Sequence, residues 1–229
     1  MDANKFLAWN ESEHSHTRRV DLDRIVVPSG RLAFRDPFEQ RGQSAVLSIP
    51  PGNYQVWVTE VDEGAEFPER AGVYLSAYLT VRLNAAEPDW VSIADELAAD
   101  EVPSFGLWTG TDHGLIAAFD AEALTVDDIP SLASQWDTAL YDEGNPHRFN
   151  YASVPLPGDT LANIILSRSG NGDGAFAVMA SYDIDGKPVA IHVDFGVVDT
   201  DGSEEAVAKA AERRERSWAT RIRRIFGRS

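Results

Sequence analysis

The chain has 229 residues, 20 Lys and Arg against 37 Asp and Glu, a formal charge of -17 and no cysteine. The missing thiols exclude a disulfide framework, a cysteine nucleophile and Cys-ligated zinc or iron–sulfur sites. A hydrophobic content of 43% is enough for a real core, and the acidity speaks against nucleic-acid binding by the body of the chain.

Residues 1–10 carry no signal-peptide pattern, and no apolar run approaches the roughly 18 residues needed to span a bilayer. The expectation is a cytoplasmic protein without a transmembrane segment. The preference for Arg over Lys, with abundant Ala and Asp, points to a bacterial source. The charge is unevenly divided. Residues 204–229 hold eight Lys and Arg against four Glu, a net +4, which leaves -21 on residues 1–203. The domain reading follows that division: a single acidic β-rich domain over 1–203, then a basic amphipathic helix over 204–229 packed on it.

In chain order, Ile25–Val27 reads as a strand running into Pro28-Ser29-Gly30, a type I turn. Arg31–Arg35 is a strand ended by Asp36-Pro37. Ala45–Ile49 leads into Pro51-Gly52, which fits a type II turn. Tyr54, Val56 and Val58 then alternate with Gln55, Trp57 and Thr59, the period of a strand. Val73–Leu83 is a further β-branched and aromatic run. Trp90, Ile93, Ala94 and Leu97 fall at helical spacing after Pro88-Asp89, and Leu115–Phe119 reads as a strand. Ile129, Leu132, Ala133, Trp136 and Leu140 repeat the helical spacing. Val207, Ala211, Trp218, Ile222 and Ile225 mark a last helix at the C-terminus.

The best-specified element is a hairpin around Asp185-Gly186, read as a two-residue type I′ loop. That register pairs Tyr182 with Val189, Ala180 with Ile191, Val178 with Val193 and Phe176 with Phe195 on one apolar face. Ser181–Ala190, Met179–His192 and Ala177–Asp194 fall on the other. A one-residue slip would mix the two faces. Pro188 would face Asp183 and mark an edge at the turn end. The fold class that results is α+β: mainly antiparallel sheet, sandwich-like or strongly bent, with two or three peripheral helices, the last at the C-terminus.

Gly-x-Ser-x-Gly, Walker A and His-Glu-x-x-His patterns are absent. The Asp-rich turns at 183–186 and 199–202 lack the glutamate of a calcium loop. His14 and His16 read as part of a solvated terminus; His113 and His147 read as isolated. His192 shares a hairpin face with Asp194 and could act as a base with its orienter, against the plainer alternative of a histidine bonded to a neighbouring strand. Asp173 and Asp194 flank the open end of the hairpin, and Asp112 and Asp120 bracket the 115–119 strand. Carboxylates brought close could share a proton or hold a divalent cation, whereas Asp at strand ends commonly bonds its own turn.

Pro28-Ser29-Gly30-Arg31-Leu32, Asp36-Pro37-Phe38 and Pro51-Gly52-x-Tyr54-x-Val56, with Gly110-Thr111-Asp112-His113-Gly114, Phe119-Asp120, Gly172-Asp173-Gly174 and Val193-Asp194-Phe195, form one combined pattern. It resembles a bacterial family, domain of unknown function 4241, over roughly residues 22–197. The resemblance implies a shared fold and no activity. It makes Asp36, Asp112, Asp120, Asp173 and Asp194 a candidate carboxylate site.

Two functions compete. The first is an acidic, immunity or antitoxin-like module that binds a basic protein such as a toxin. The second is a carboxylate-based metal-binding or hydrolytic enzyme. No resident cofactor is expected, and oxygen ligands would favour magnesium, calcium or manganese if a cation binds.

Overall fold

The fold was obtained as a computed structural model, which describes residues 3–11, 16–39, 44–65, 68–104, 106–124, 129–147, 149–156 and 162–198. The expected C-terminal helix and His14 lie outside the described residues. The described chain runs α1 (Ala3–Glu11), β1 (Thr17–Asp21), β2 (Ile25–Val27), β3 (Arg31–Arg35), β4 (Ala45–Ser48), β5 (Gly52–Asp62) and β6 (Tyr74–Arg82). It continues with β7 (Trp90–Ile93), β8 (Trp108–Thr111), β9 (Leu115–Asp120), α2 (Ile129–Tyr141), β10 (Tyr151–Pro155), β11 (Asn163–Arg168), β12 (Gly174–Tyr182) and β13 (Pro188–Asp194).

The strands form two antiparallel sheets. The larger has eight strands in the order β1-β5-β6-β13-β12-β7, with β2 also pairing with β5 and β8 with β12; the smaller has five, β10-β11-β9-β3-β4. Val56, Val58, Leu79, Val81, Val178, Ile191 and Val193 of the first sheet pack on Leu32, Phe34, Leu47, Ile116, Ala118 and Ile165 of the second. Each sheet is also covered on its outer face. Trp136, Leu132 and Leu140 of α2 pack on Ala33, Ala117, Phe119, Ile164 and Leu166. Phe6 of α1 packs with Ala77, Tyr78, Val91 and Met179. This four-layer arrangement explains why β9 is buried at every position. A strand covered on both faces reads as a continuous apolar run instead of an alternation. Among the described residues, no helix is long and apolar enough to cross a membrane.

The turn at Pro28-Ser29-Gly30 forms as expected, with the Gly30 N–H bonded to the Val27 carbonyl and Gly30 at φ +77°. The hairpin register holds from Ala177–Asp194 to Ser181–Ala190. Beyond it the loop differs from expectation. A register shift places Tyr182 opposite Pro188. The Gly186 N–H bonds the Asp183 carbonyl and the Asp183 N–H bonds the Lys187 carbonyl, while Gly186 alone takes positive φ. This is a three-residue loop, a type I turn followed by a left-handed glycine. The Asp183 carboxylate selects it by accepting the N–H groups of Asp185 (3.0 Å) and Lys187 (2.8 Å). Ile184 falls inside this loop and is 81% exposed. The hairpin is not at an edge either: β13 lies between β6 and β12, and Pro188 is tolerated as the first residue of its strand.

Two further expectations are corrected. Residues 90–97 are not a helix but β7 followed by a short 3₁₀ turn over Asp95–Leu97. Four residues rich in β-branched and aromatic side chains suit a strand, and Trp90 stacks on Tyr182 of the neighbouring β12 with ring centroids 4.1 Å apart. Pro51-Gly52 is not a type II turn, because Gly52 lacks the required positive φ and opens β5. The tip of the Tyr54 ring lies over Gly52, where a Cβ would come within 2.8 Å of it. Conversely, α1, with Ala3, Phe6, Leu7 and Asn10 at helical spacing, is a helix absent from the sequence-based expectations.

Candidate functional site

Three of the motif segments meet at one end of the sandwich. Pairing of Gly174 with Thr111 joins the start of β12 to the end of β8. It brings the 112–114 loop against the 170–173 loop. Gly114, at φ +62°, is held so close to Gly172 that a Cβ there would lie 3.4 Å from the Gly172 Cα and 3.9 Å from Asp173 Oδ1. Asp36, just past the end of β3, reaches into the same end.

Asp36 is the hub of this region. Its buried carboxylate accepts hydrogen bonds from the Phe38 N–H (2.7 Å), the Thr111 hydroxyl (2.7 Å), the Asp112 N–H (2.9 Å) and His113 Nδ1 (2.9 Å). Burial pushes its pKa up, but the bonds from Thr111, His113 and the two amides outweigh burial and hold it below the usual carboxylate range. The ionised Asp36 in turn raises the pKa of His113, chiefly through their hydrogen bond. With Nδ1–H directed to Asp36, Nε2 is the nitrogen left to take or release a proton on a side chain that is 47% exposed. The imidazole also meets Phe38 edge-on at 5.5 Å.

The candidate carboxylates do not form one cluster. Asp36, Asp112 and Asp173 share the end just described, where Asp112 and Asp173 are exposed. Asp120 is at the far end of β9, five residue rises or about 17 Å from Leu115. Its buried carboxylate accepts the Ser29 N–H (2.7 Å), the Ser29 hydroxyl (2.7 Å) and the Glu122 N–H (2.8 Å), tying the 28–30 turn to β9. Asp194 pairs with Ala177, which puts Asp173 about four rises, roughly 13 Å, farther along the strand. Among the described residues, no group of three or more His, Asp or Glu is placed to hold a metal ion.

Asp194 and His192 lie on the face covered by α1. Burial raises the pKa of Asp194 to about 6, opposed by a single backbone bond from the Gly196 N–H. His192 is fully buried. Its Nδ1 lies 2.7 Å from Asn10 Nδ2 and 3.0 Å from the Thr80 hydroxyl, and its Nε2 lies 3.0 Å from the Ser181 hydroxyl. An Asn amide N–H can only donate, so Nδ1 is the acceptor and Nε2 carries the proton. Burial lowers the pKa of His192 to about 3. Asn10 Oδ1 closes the network by accepting from the Thr59 (2.8 Å) and Thr80 (3.1 Å) hydroxyls. His192 thus ties α1 to β6 and β12 from a fully buried position.

His113, read as isolated in the sequence, is the candidate-site residue that sequence reasoning missed. Its partner is 77 positions earlier, and the pairing of β3 with β9 brings the end of β3 beside the loop that precedes β9.

The fold and this loop end define a class: a two-sheet antiparallel sandwich, covered by a helix on each face, with motif turns gathered round a buried aspartate. The family model for DUF4241, a protein of unknown function, matches residues 25–193, and the chain belongs to that family. No curated protein and no solved structure matches it.

Proposed function

We propose that this protein is an acidic protein-binding module of the immunity or antitoxin type, and that it receives a basic partner on the loop end bearing Asp112 and Asp173. The carrying observation is a division of labour among the carboxylates. Asp36, Asp120 and Asp194 are turned inward and accept hydrogen bonds from the fold. Asp112 and Asp173 stand exposed on two loops that pack against each other at Gly114 and Gly172. Loops fixed on a scaffold are where binding residues concentrate. Negative charge there, part of the -17 of the whole chain, would steer a basic partner. The test is affinity capture from the native host on the immobilised full chain, comparing wild type with D112N/D173N. A basic protein retained at moderate salt by wild type and at least tenfold less by the variant supports the reading. No retained protein, or equal retention by both, overturns it.

One observation favours a second reading, a hydrolytic enzyme: the Asp36–His113 pair has the form of a base with its orienter. Chromogenic phosphoryl and glycosyl esters, with and without magnesium, calcium or manganese, test it. Turnover abolished by H113Q supports that reading, and turnover equal in wild type and H113Q removes it.

A further inference from the structure

A second concave surface lies away from those loops. The segment joining β1 to β2, the C-terminal end of α2 and the start of β10 enclose a cleft of about 540 Å³, within the range of ligand-binding cavities. Its lining includes Asp21, Asp23 and Asp142 together with His147 and Tyr151, and among the described residues no lysine or arginine. Beside it in the chain are two of the few large apolar side chains that stay exposed. Tyr141 (44%) precedes Asp142, and Phe149 (47%) lies between His147 and Tyr151. Their rings meet edge-to-face at 5.5 Å. Phe149 is also the one non-glycine residue with positive φ among the described residues, at 74°. The cleft therefore combines carboxylates with an exposed aromatic pair, which complements a segment that is both basic and apolar.

The chain contains such a segment. Residues 204–229 carry eight Lys and Arg and the apolar residues Trp218, Ile222 and Ile225. The described chain ends beside the 170–173 loop, and a run of contacts leads from there to the cleft. Val197 crowds Gly170 together with the Ser76 carbonyl. The Ser76 hydroxyl lies 2.9 Å from the hydroxyl of Tyr151, which lines the cleft. Five residues, 199–203, separate the last described position from the basic segment, a reach of up to about 20 Å.

We propose that this cleft is the docking groove for the chain's own basic segment, residues 204–229, with arginines paired to Asp21, Asp23 and Asp142 and the Trp218/Ile222/Ile225 stripe against Tyr141 and Phe149. Guanidinium–carboxylate pairs supply direction. Tethering makes the encounter intramolecular, with an effective concentration in the millimolar range. The proposal concerns a different surface from the Asp112/Asp173 loops and stands whether or not a partner binds there.

Two measurements on the full chain test it. Trypsin cleaves after the arginines of the segment, so docking slows its release. At low ionic strength, D21N/D23N/D142N should release fragments from 209–228 at least fivefold faster than wild type. E87Q/D89N/D185N, which removes equal charge elsewhere, should not. Asparagine keeps the acceptor oxygens used by Arg19 and by the Gly144 N–H, so melting temperatures should match. Because the chain lacks cysteine, a spin label at S217C is unique, and it should broaden the backbone amides of residues 142–153 preferentially. Equal release by the two triple variants, or broadening centred elsewhere, overturns the proposal.

Discussion

Asp36 and Asp194 are both buried carboxylates next to a motif turn, and their surroundings treat them in opposite ways. Asp36 has four donors converging on it and is held ionised below the usual carboxylate range. Asp194 has one backbone donor, and burial lifts its pKa to about 6. Near Asp194, the buried Tyr78 hydroxyl has no hydrogen-bond partner among the described residues. Its proton is held more tightly by burial and by the Asp194 charge. One end of the molecule is organised around a charge. The α1-covered face instead holds polar groups under apolar cover. Burial alone does not decide the state of an acid; the number of donors aimed at it does.

The comparison can be broken most forcefully at Asp36. Asp36→Asn keeps the shape but removes the charge and turns one acceptor into a donor, facing donors from Thr111, Asp112 and His113. It should cost about 3 kcal/mol in denaturant unfolding. The same variant should return the NMR-detected pKa of His113 toward that of a free histidine. The sign follows from the raised folded pKa of His113. The stability it contributes is complete below the unfolded value of about 6.5 and is lost as pH rises through the folded value. A loss at Asp36→Asn below about 1 kcal/mol would remove Asp36 from its place as organiser.

Asn10→Ala should be next, costing about 2 kcal/mol, because it strips partners from His192, Thr59 and Thr80 at once. Hydrogen exchange should then show α1 opening ahead of both sheets. Exchange from α1 that coincides with global unfolding would show that the helix is not a separable cover.

Asp194→Asn should move in the opposite direction. Because folding raises the Asp194 pKa, the neutral form is favoured in the native state, and stability is lost as pH rises from about 4 to about 6. The variant, neutral throughout, should be more stable than wild type at pH 7 by about 1–2 kcal/mol and show no gain at pH 3.5. The smallest effect belongs to D112N/D173N, whose exposed carboxylates should leave stability within about 0.5 kcal/mol while partner capture is lost. A large stability change there would place those residues in the fold's support.

The sequence carried some of this architecture and not the rest, for physical reasons. The hairpin register from Ala177 to Ser181 was legible because alternation separates two faces so cleanly. Its loop was not, since a side-chain acceptor at Asp183 overrode the dipeptide preference for a tighter turn. Residues 90–97 satisfied helical and strand templates alike, and the decision came from a neighbour, Tyr182, far along the chain. The turn carboxylates were visible one by one. That Asp36 joins Asp112, Asp173 and His113 while Asp120 and Asp194 go elsewhere depends on strand order, which no local pattern encodes.

The position of the β12–β13 hairpin has a consequence for how the molecule is made. The last two described strands lie in the middle of the larger sheet, between β6 on one side and β7 and β8 on the other. As the chain leaves the ribosome, β5 and β6 can pair early, but β7 and β8 have no neighbour in that sheet until residues 174–194 appear. The smaller sheet needs only segments up to Arg168. Closure is therefore set by contacts of long sequence separation, such as His192 with Thr80, which slow folding. A nascent chain stopped before the hairpin would present two open sheet edges and an unfilled core, the state most exposed to association with its own copies.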